Sequence, residues 1–242
     1  GILNERGKDG HGFRRMHVEL VDLVDEAGRS AGVQRLLHMS ALNASAGKGT
    51  SEYLRSKGEG ENQAHTRGHS SMKVTSFRPS VIFGPGDSFF NRFAGLLRST
   101  PGVFPLACAD SRFQPVYVGD VVEAFARSLT DRSTWDMHFD LCGPRVYALA
   151  ELVEYTAWLI GRRVKVVRLN DFLSRMQART LEVLAGKPFS YDNYLSMQMD
   201  SVCGSDGLQR LGILPQDVES IVPQYLADAA QRSRYSQLRM LI

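Results

Sequence analysis

The sequence predicts an α/β fold in which helices cover both faces of a doubly wound parallel sheet. Two observations carry this. Short apolar runs of strand length alternate with runs of helical period along most of the 242 residues. Glycine and proline punctuate the junctions, at Gly32, Gly84-Pro-Gly86, Gly143-Pro144 and Gly161.

Taken in order, residues 15–31 read as a helix, because Val18, Val21, Val24 and Ala27 recur at helical spacing; Gly32 ends it. Val33 to Met39 is strand-like and runs directly into Ser40. A polar loop with glycines follows, and a helix spans 51–67. Val74 to Phe77 is a short strand closed by Pro79, and Phe89 to Arg98 a helix. Pro115 to Val118 is a strand, and Asp120 is placed to cap a helix running to about Leu129. Strand 137–141, helix 149–160 and strand 164–169 follow. Asp171 is expected to cap a helix to about Ala185, whose stripe of Phe172, Leu173, Met176, Leu181 and Leu184 reads as core or, alternatively, as a docking face for a partner or membrane. Residues 216–230 read as a last helix and 231–242 as a loose tail.

The chemistry concentrates in Ser51-Glu-Tyr-Leu-Arg-Ser-Lys57. Tyr53 and Lys57 stand one helical turn apart on one face. An ammonium beside a phenol favours the phenolate, lowering an ordinary pKa of about 10 toward neutrality. A hydroxyl from Ser40 could hold the oxygen whose proton is exchanged. Alone, the spacing also fits a solvated helix face. A strand delivering Ser40, then a glycine loop, then the motif opening a helix is the context that favours chemistry.

Here the chain resembles the extended short-chain dehydrogenase/reductase superfamily, in its NAD-dependent epimerase/dehydratase group. The words that carry the resemblance occur in order: Ala31 to Ser40, Tyr53-x-x-x-Lys57, Phe77 to Asp87, Gln114 to Val122, and Phe139 to Pro144. Within it, Tyr53 to Glu61, Gly86 to Ala94 and Met197 to Val202 resemble the nucleotide-binding accessory subunit of respiratory complex I and its bacterial relatives. The resemblance implies a Rossmann-like domain at 1–142, with a lobe insertion at about 86–112, and a small, mostly helical lobe at 143–242. It implies Tyr53 as general acid/base, Lys57 on the nicotinamide ribose and Ser40 on the substrate oxygen. It places Met39, Pro79, Ser80 and Val81 against the cofactor, NADP or NAD, and Phe89, Asn91, Arg92, Arg112 and Gln114 on the substrate side.

One family feature is missing. No strand followed by Gly-x-x-Gly-x-x-Gly occurs, and Gly1 to Gly7 resembles the segment after the family's fourth strand. The sequence is therefore expected to be truncated at its N-terminus by about three βα units of roughly 25–30 residues each. An open sheet edge, exposed apolar faces on strands 33–39 and 73–79, and weak or absent dinucleotide binding by this chain alone are the expected consequences.

Composition narrows the partners. A formal net charge of +3, with scattered arginines, does not point to nucleic acid. No apolar run approaches a membrane span and no signal peptide is visible. Cys108, Cys142 and Cys203 form no close-spaced set, which suits a reducing compartment: the cytoplasm, its membrane surface, or a mitochondrial matrix. His65 and His69 have i, i+4 spacing, but no metal set is read, and His38 is read as packed in the fold. Three functions follow. The first is hydride-transfer or epimerase/dehydratase-like chemistry through Ser40, Tyr53 and Lys57 on an unknown small substrate. The second is a non-catalytic dinucleotide-binding subunit docked on a respiratory or membrane-peripheral partner. The third is a nucleotide-sugar epimerase or dehydratase.

Overall fold

The computed structural model describes residues 1–5, 9–68, 72–183 and 189–227. A short helix α1 (His11–Arg14), a π-helical turn (Arg15–Glu19) and α2 (Leu20–Ser30) form one continuous rod. Gly32, at φ +71°, ends it. Then come β1 (Arg35–Met39), α3 (Glu52–Gly68), β2 (Lys73–Pro79), β3 (Ile82–Phe83) and α4 (Phe90–Ser99). The chain continues through β4 (Val103–Leu106), β5 (Arg112–Phe113), β6 (Val116–Tyr117), α5 (Val118–Thr130) and β7 (His138–Leu141). The last elements are β8 (Tyr147–Ala148), α6 (Leu149–Leu159), β9 (Lys165–Arg168), α7 (Asp171–Leu181), α8 (Tyr191–Ser196), α9 (Gly207–Arg210) and α10 (Val218–Leu226).

The expected parallel sheet is present, as β1-β2-β7, with Met39 opposite Phe77 and Phe77 opposite Phe139. One apolar cluster sits between this sheet and α5 and α9, around Phe77, Val121, Leu141 and Leu208. A second joins α4, α6 and α10 around Phe83, Phe90, Leu152 and Val222. Among the described residues β1 and β7 are the two edges of this sheet, and Met39 of β1 is 38% exposed. The expectation for strand 73–79 is overturned: Val74 and Phe77 are buried. Phe125 of α5 stacks on Phe77 at 4.3 Å, and α3 packs on β2.

Several local expectations are corrected. Asp120 lies in the first turn of α5, and its carboxylate instead accepts Gln216 N–H at 2.8 Å. Asn170, not Asp171, caps α7, because Asp171 pairs with Arg175 and accepts the Tyr194 hydroxyl. The α7 stripe does not form core: Phe172 and Met176 point outward while Ser174 and Ala178 are buried. Cys142 and Cys203 are joined as a disulfide with Cα atoms 6.1 Å apart. Sequence spacing hides this pair because the fold carries residues 197–206 back to the end of β7. Leu184, His69, the end of the 216–230 helix and the 231–242 tail lie outside the described residues. No helix among the described residues is long and apolar enough to cross a membrane.

Candidate active site

The site is built at the C-terminal end of β1 and the first two turns of α3. Asp192 of α8 starts the helix: its two carboxylate oxygens accept the N–H groups of Glu52 and Tyr53 at 2.7 and 3.2 Å. Two glycines then let α3 sit close to its neighbours. A Cβ on Gly58 would lie 2.5 Å from the Ser45–Ala46 backbone, and one on Gly60 would lie 1.9 Å from His17 O. The π-helical turn carrying His17 is thereby pressed against α3.

Lys57 is buried, and its Nζ donates to the Met39 carbonyl at 2.5 Å, which ties α3 to the end of β1. Burial lowers its ammonium to about 8, opposed by Glu61. Tyr53 departs from the expectation that Lys57 would lower its phenol. The rings of Phe13 and His17 pack edge-on against it at 6.1 and 5.6 Å, and burial pushes it up to about 12. His17 accepts Ile2 N–H at 3.1 Å through Nε2, so Nδ1 is the nitrogen that donates to Ser56 at 2.9 Å. Burial, then the charge of Lys57, lowers His17 to about 4.

Ser40 is delivered to the end of β1 as expected, its N–H bonded to Phe77 O at 2.8 Å. Its hydroxyl, however, donates to Glu61 Oε2 at 2.5 Å. Glu61 is the residue sequence reasoning missed. It also takes Arg78 at 2.6 Å and His138 Nδ1 at 2.5 Å. Burial alone would raise its carboxyl, but the bonds from His138, Arg78 and Ser40 and the charge of Arg78 outweigh it and hold it at about 2. A signal was available: Glu61 lies one turn beyond Lys57, in a word already singled out.

Glu61, His65 and His138 bring ligand-type atoms within 4.8 Å of one another. Yet the rings of His65 and His138 are stacked 4.0 Å apart at 27°, so their in-plane lone pairs do not converge, and Arg78 already neutralises the carboxylate. The group is an ion-pair and hydrogen-bond network.

Of the cofactor-side and substrate-side residues, Ser80, Arg112 and Gln114 meet the segment 200–203. Ser80 Oγ donates to Ser201 O at 2.8 Å, while the backbones of Pro79 and Val81 accept Leu42 and Val116 N–H at 3.0 Å. Arg112 pairs with Asp200 at 2.8 Å, and Gln114 bonds Gly143 O at 2.7 Å and Cys203 N at 3.1 Å. Phe89 packs on Phe113 with centroids 6.1 Å apart, Asn91 N–H bonds Asp87, and half-buried Arg92 follows in α4. A cavity of about 300 Å³ opens beside the start of α3, between Phe13, Glu52, Tyr191 and Asp192. Its four carboxylates, Glu5, Glu52, Glu182 and Asp192, against one arginine make it a poor seat for a dinucleotide's phosphates.

Residues 34–137 match the model of the 3-beta hydroxysteroid dehydrogenase/isomerase family. The chain is similar to NADH dehydrogenase [ubiquinone] 1 alpha subcomplex subunit 9, mitochondrial, of Rattus norvegicus, with 30% identity over 86% of this chain and 55% of the relative. It is 25% identical to the NADH-ubiquinone oxidoreductase 40 kDa subunit, mitochondrial, of Neurospora crassa, over 92% of this chain and 58% of that one. The chain thus spans about half the length of the curated relatives it matches. Among solved structures, a UDP-galactose 4-epimerase superposes with a TM-score of 0.68 at 16% identity, over 95% of this chain and 75% of that one. The UDP-glucuronic acid 4-epimerase of Bacillus cereus, in complex with UDP-glucuronic acid and NAD, superposes with 0.59 at 15% identity, over 86% and 70%. These likenesses agree on the fold: the chain has the α/β fold of these epimerases, with the Tyr53–Lys57 pair on α3, and its residues 34–137 are similar to the dehydrogenase/isomerase family.

Proposed function

We propose that this protein is a nicotinamide-dinucleotide-binding accessory subunit of a respiratory NADH dehydrogenase, in which the cofactor is held and not turned over. The observation that carries this is the state of the acid/base residues. Ser40 has committed its proton to Glu61, and Tyr53 is pushed away from the phenolate to about 12. Lys57, at the end of β1, is left as the residue for the ribose of NADP or NAD. The mitochondrial NADH dehydrogenase subunits among the relatives support a respiratory partner and a peripheral position on the membrane carrying it.

The test is Tyr53→Phe in the whole protein, read in two ways. Dinucleotide released from the purified protein should be unchanged in amount, and so should the level of assembled NADH dehydrogenase. Loss of a nicotinamide-dependent turnover in the variant would contradict the reading. It would favour a hydride-transfer enzyme, for which the one-turn spacing of Tyr53 and Lys57 speaks. A nucleotide-sugar epimerase or dehydratase ranks third, because Arg112 and Gln114 are already bonded to residues of 200–203.

A further inference from the structure

Helix α7 is inside out. Its inward residues are small or polar: Ser174 is 2% exposed and Ala178 0%. It docks on β4 and the loop after it through hydrogen bonds, with Gln177 bonded to Ala107 N–H and to Pro105 O, at 3.1 and 3.0 Å, and Ser174 to Cys108 N–H at 3.2 Å. Its large apolar residues face the other way, with Phe172 70% exposed and Met176 53% exposed, one turn apart. A helix covering its own core shows the opposite arrangement.

The charge around it is one-sided. Residues 162–183 hold six basic side chains, Arg162, Arg163, Lys165, Arg168, Arg175 and Arg179, against two acidic ones, Asp171 and Glu182. The remainder of the chain holds 23 basic and 24 acidic residues, so the positive charge of the molecule resides in this stretch. Arg175 and Arg179 lie over the rings of Tyr194 and Tyr191, at 5.8 and 5.1 Å from their centroids, which fixes cations beside the apolar pair.

From this arrangement we infer that α7 is an interfacial helix that seats Phe172 and Met176 in the headgroup region of an anionic lipid bilayer. The outward side carries exposed Phe172 and Met176 on the same helix as Arg175 and Arg179, an arrangement that complements a plane of anionic headgroups. The inference deepens the peripheral-membrane reading and rests on it for its biological setting, but it requires neither dinucleotide nor a protein partner.

The test is co-sedimentation of the purified protein with phosphatidylcholine vesicles, either plain or containing about one-third phosphatidylglycerol. The protein should bind the anionic vesicles and release them at raised salt. The double variant Phe172→Ser, Met176→Ser, both exposed and so expected to fold, should bind at least about ten-fold more weakly. Leu23→Ser, at another exposed leucine on α2, should leave binding unchanged and excludes general stickiness. Absence of binding to anionic vesicles, or equal binding by the double variant, overturns the inference. So does retention on lipid-free NADH dehydrogenase that depends on Phe172 and Met176, which would make this face a protein interface. Retention there that does not depend on them, combined with no lipid binding, would sink this inference and leave the accessory-subunit reading intact.

Discussion

At the scale of residues, Glu61 organises the polar interior of the domain. It links Ser40 at the end of β1 to Arg78 of β2 and His138 of β7, so one carboxylate ties three strands. Glu61→Gln leaves Arg78 without its anion and should cost on the order of 2–3 kcal/mol, measured by urea denaturation at neutral pH. Acid acts on a different set. His17, His38 and His65 are each lowered to about 4 from 6.5, chiefly by burial. The unfolded chain binds their protons below 6.5 and the native state only near 4, so stability is full above 6.5 and is lost progressively as pH falls between these values. The share that belongs to Glu61, held at about 2 against 4.5, is lost only lower, as pH falls from 4.5 toward 2. His38→Leu removes a ring whose Nε2 is buried without a hydrogen-bond partner among the described residues. It should reduce the slope of stability against pH in the upper window by about one proton, read from denaturation midpoints across that range.

The placing of Ser40 at a strand end and of Tyr53 and Lys57 at the start of a helix was legible because a strand, a glycine loop and an i, i+4 pair are local features. What they touch was not. Whether Ser40 faces a substrate or Glu61, and whether Tyr53 is lowered by Lys57 or raised by the rings of Phe13 and His17, depends on contacts made 21 and 36–40 positions away.

At the scale of elements, α3 is specified twice. Its period comes from the sequence, but its position comes from Gly58, Gly60 and the Asp192 cap. Gly60→Ala should destabilise by about 2–3 kcal/mol, because the overlap with His17 O exceeds the gain of roughly 1 kcal/mol in helix propensity. Thermal melting checks this, and an unchanged or raised midpoint would contradict the close packing. Asp192→Ala should cost about 1 kcal/mol by removing the cap. The order and type of the long elements were readable from periodicity and glycine stops, as at Gly32 and Gly161 with φ of +71° and +67°. Caps were less readable. Asp120 and Asp171 sit where a capping carboxylate would, yet the fold offers each a partner distant in sequence, Gln216 and Tyr194. The face of α7 was misread for a related reason: an apolar stripe states that a helix is amphipathic, not which side is covered.

At the scale of the molecule, two covalent and topological facts matter. The Cys142–Cys203 disulfide closes a loop with a sequence separation of 61 and fastens the segment bearing Asp200 and Ser201 to the end of β7. Constraining a loop of that length is worth about 4 kcal/mol, so a Cys142→Ser, Cys203→Ser variant should melt well below the oxidised protein and match the protein in reductant. The pairing was invisible in sequence because only tertiary structure brings the two together. The second fact is that, among the described residues, β1 is an edge of the three-stranded sheet, beside Ser40 and Lys57.

The central claim, that the end of β1 and α3 receive the nicotinamide half of a dinucleotide, is tested most directly by titrating NADPH and NADH while following nicotinamide fluorescence. Three proteins are compared: this chain, a form carrying glycine-rich βα units ahead of it, and that form with Lys57→Met. The form carrying the units should bind saturably, this chain weakly or not at all, and Lys57→Met should weaken binding at least about ten-fold by removing a charged donor. No saturable binding in the longer form, or identical affinity with and without Lys57, would contradict the account and leave Tyr53 and Lys57 as parts of a scaffold.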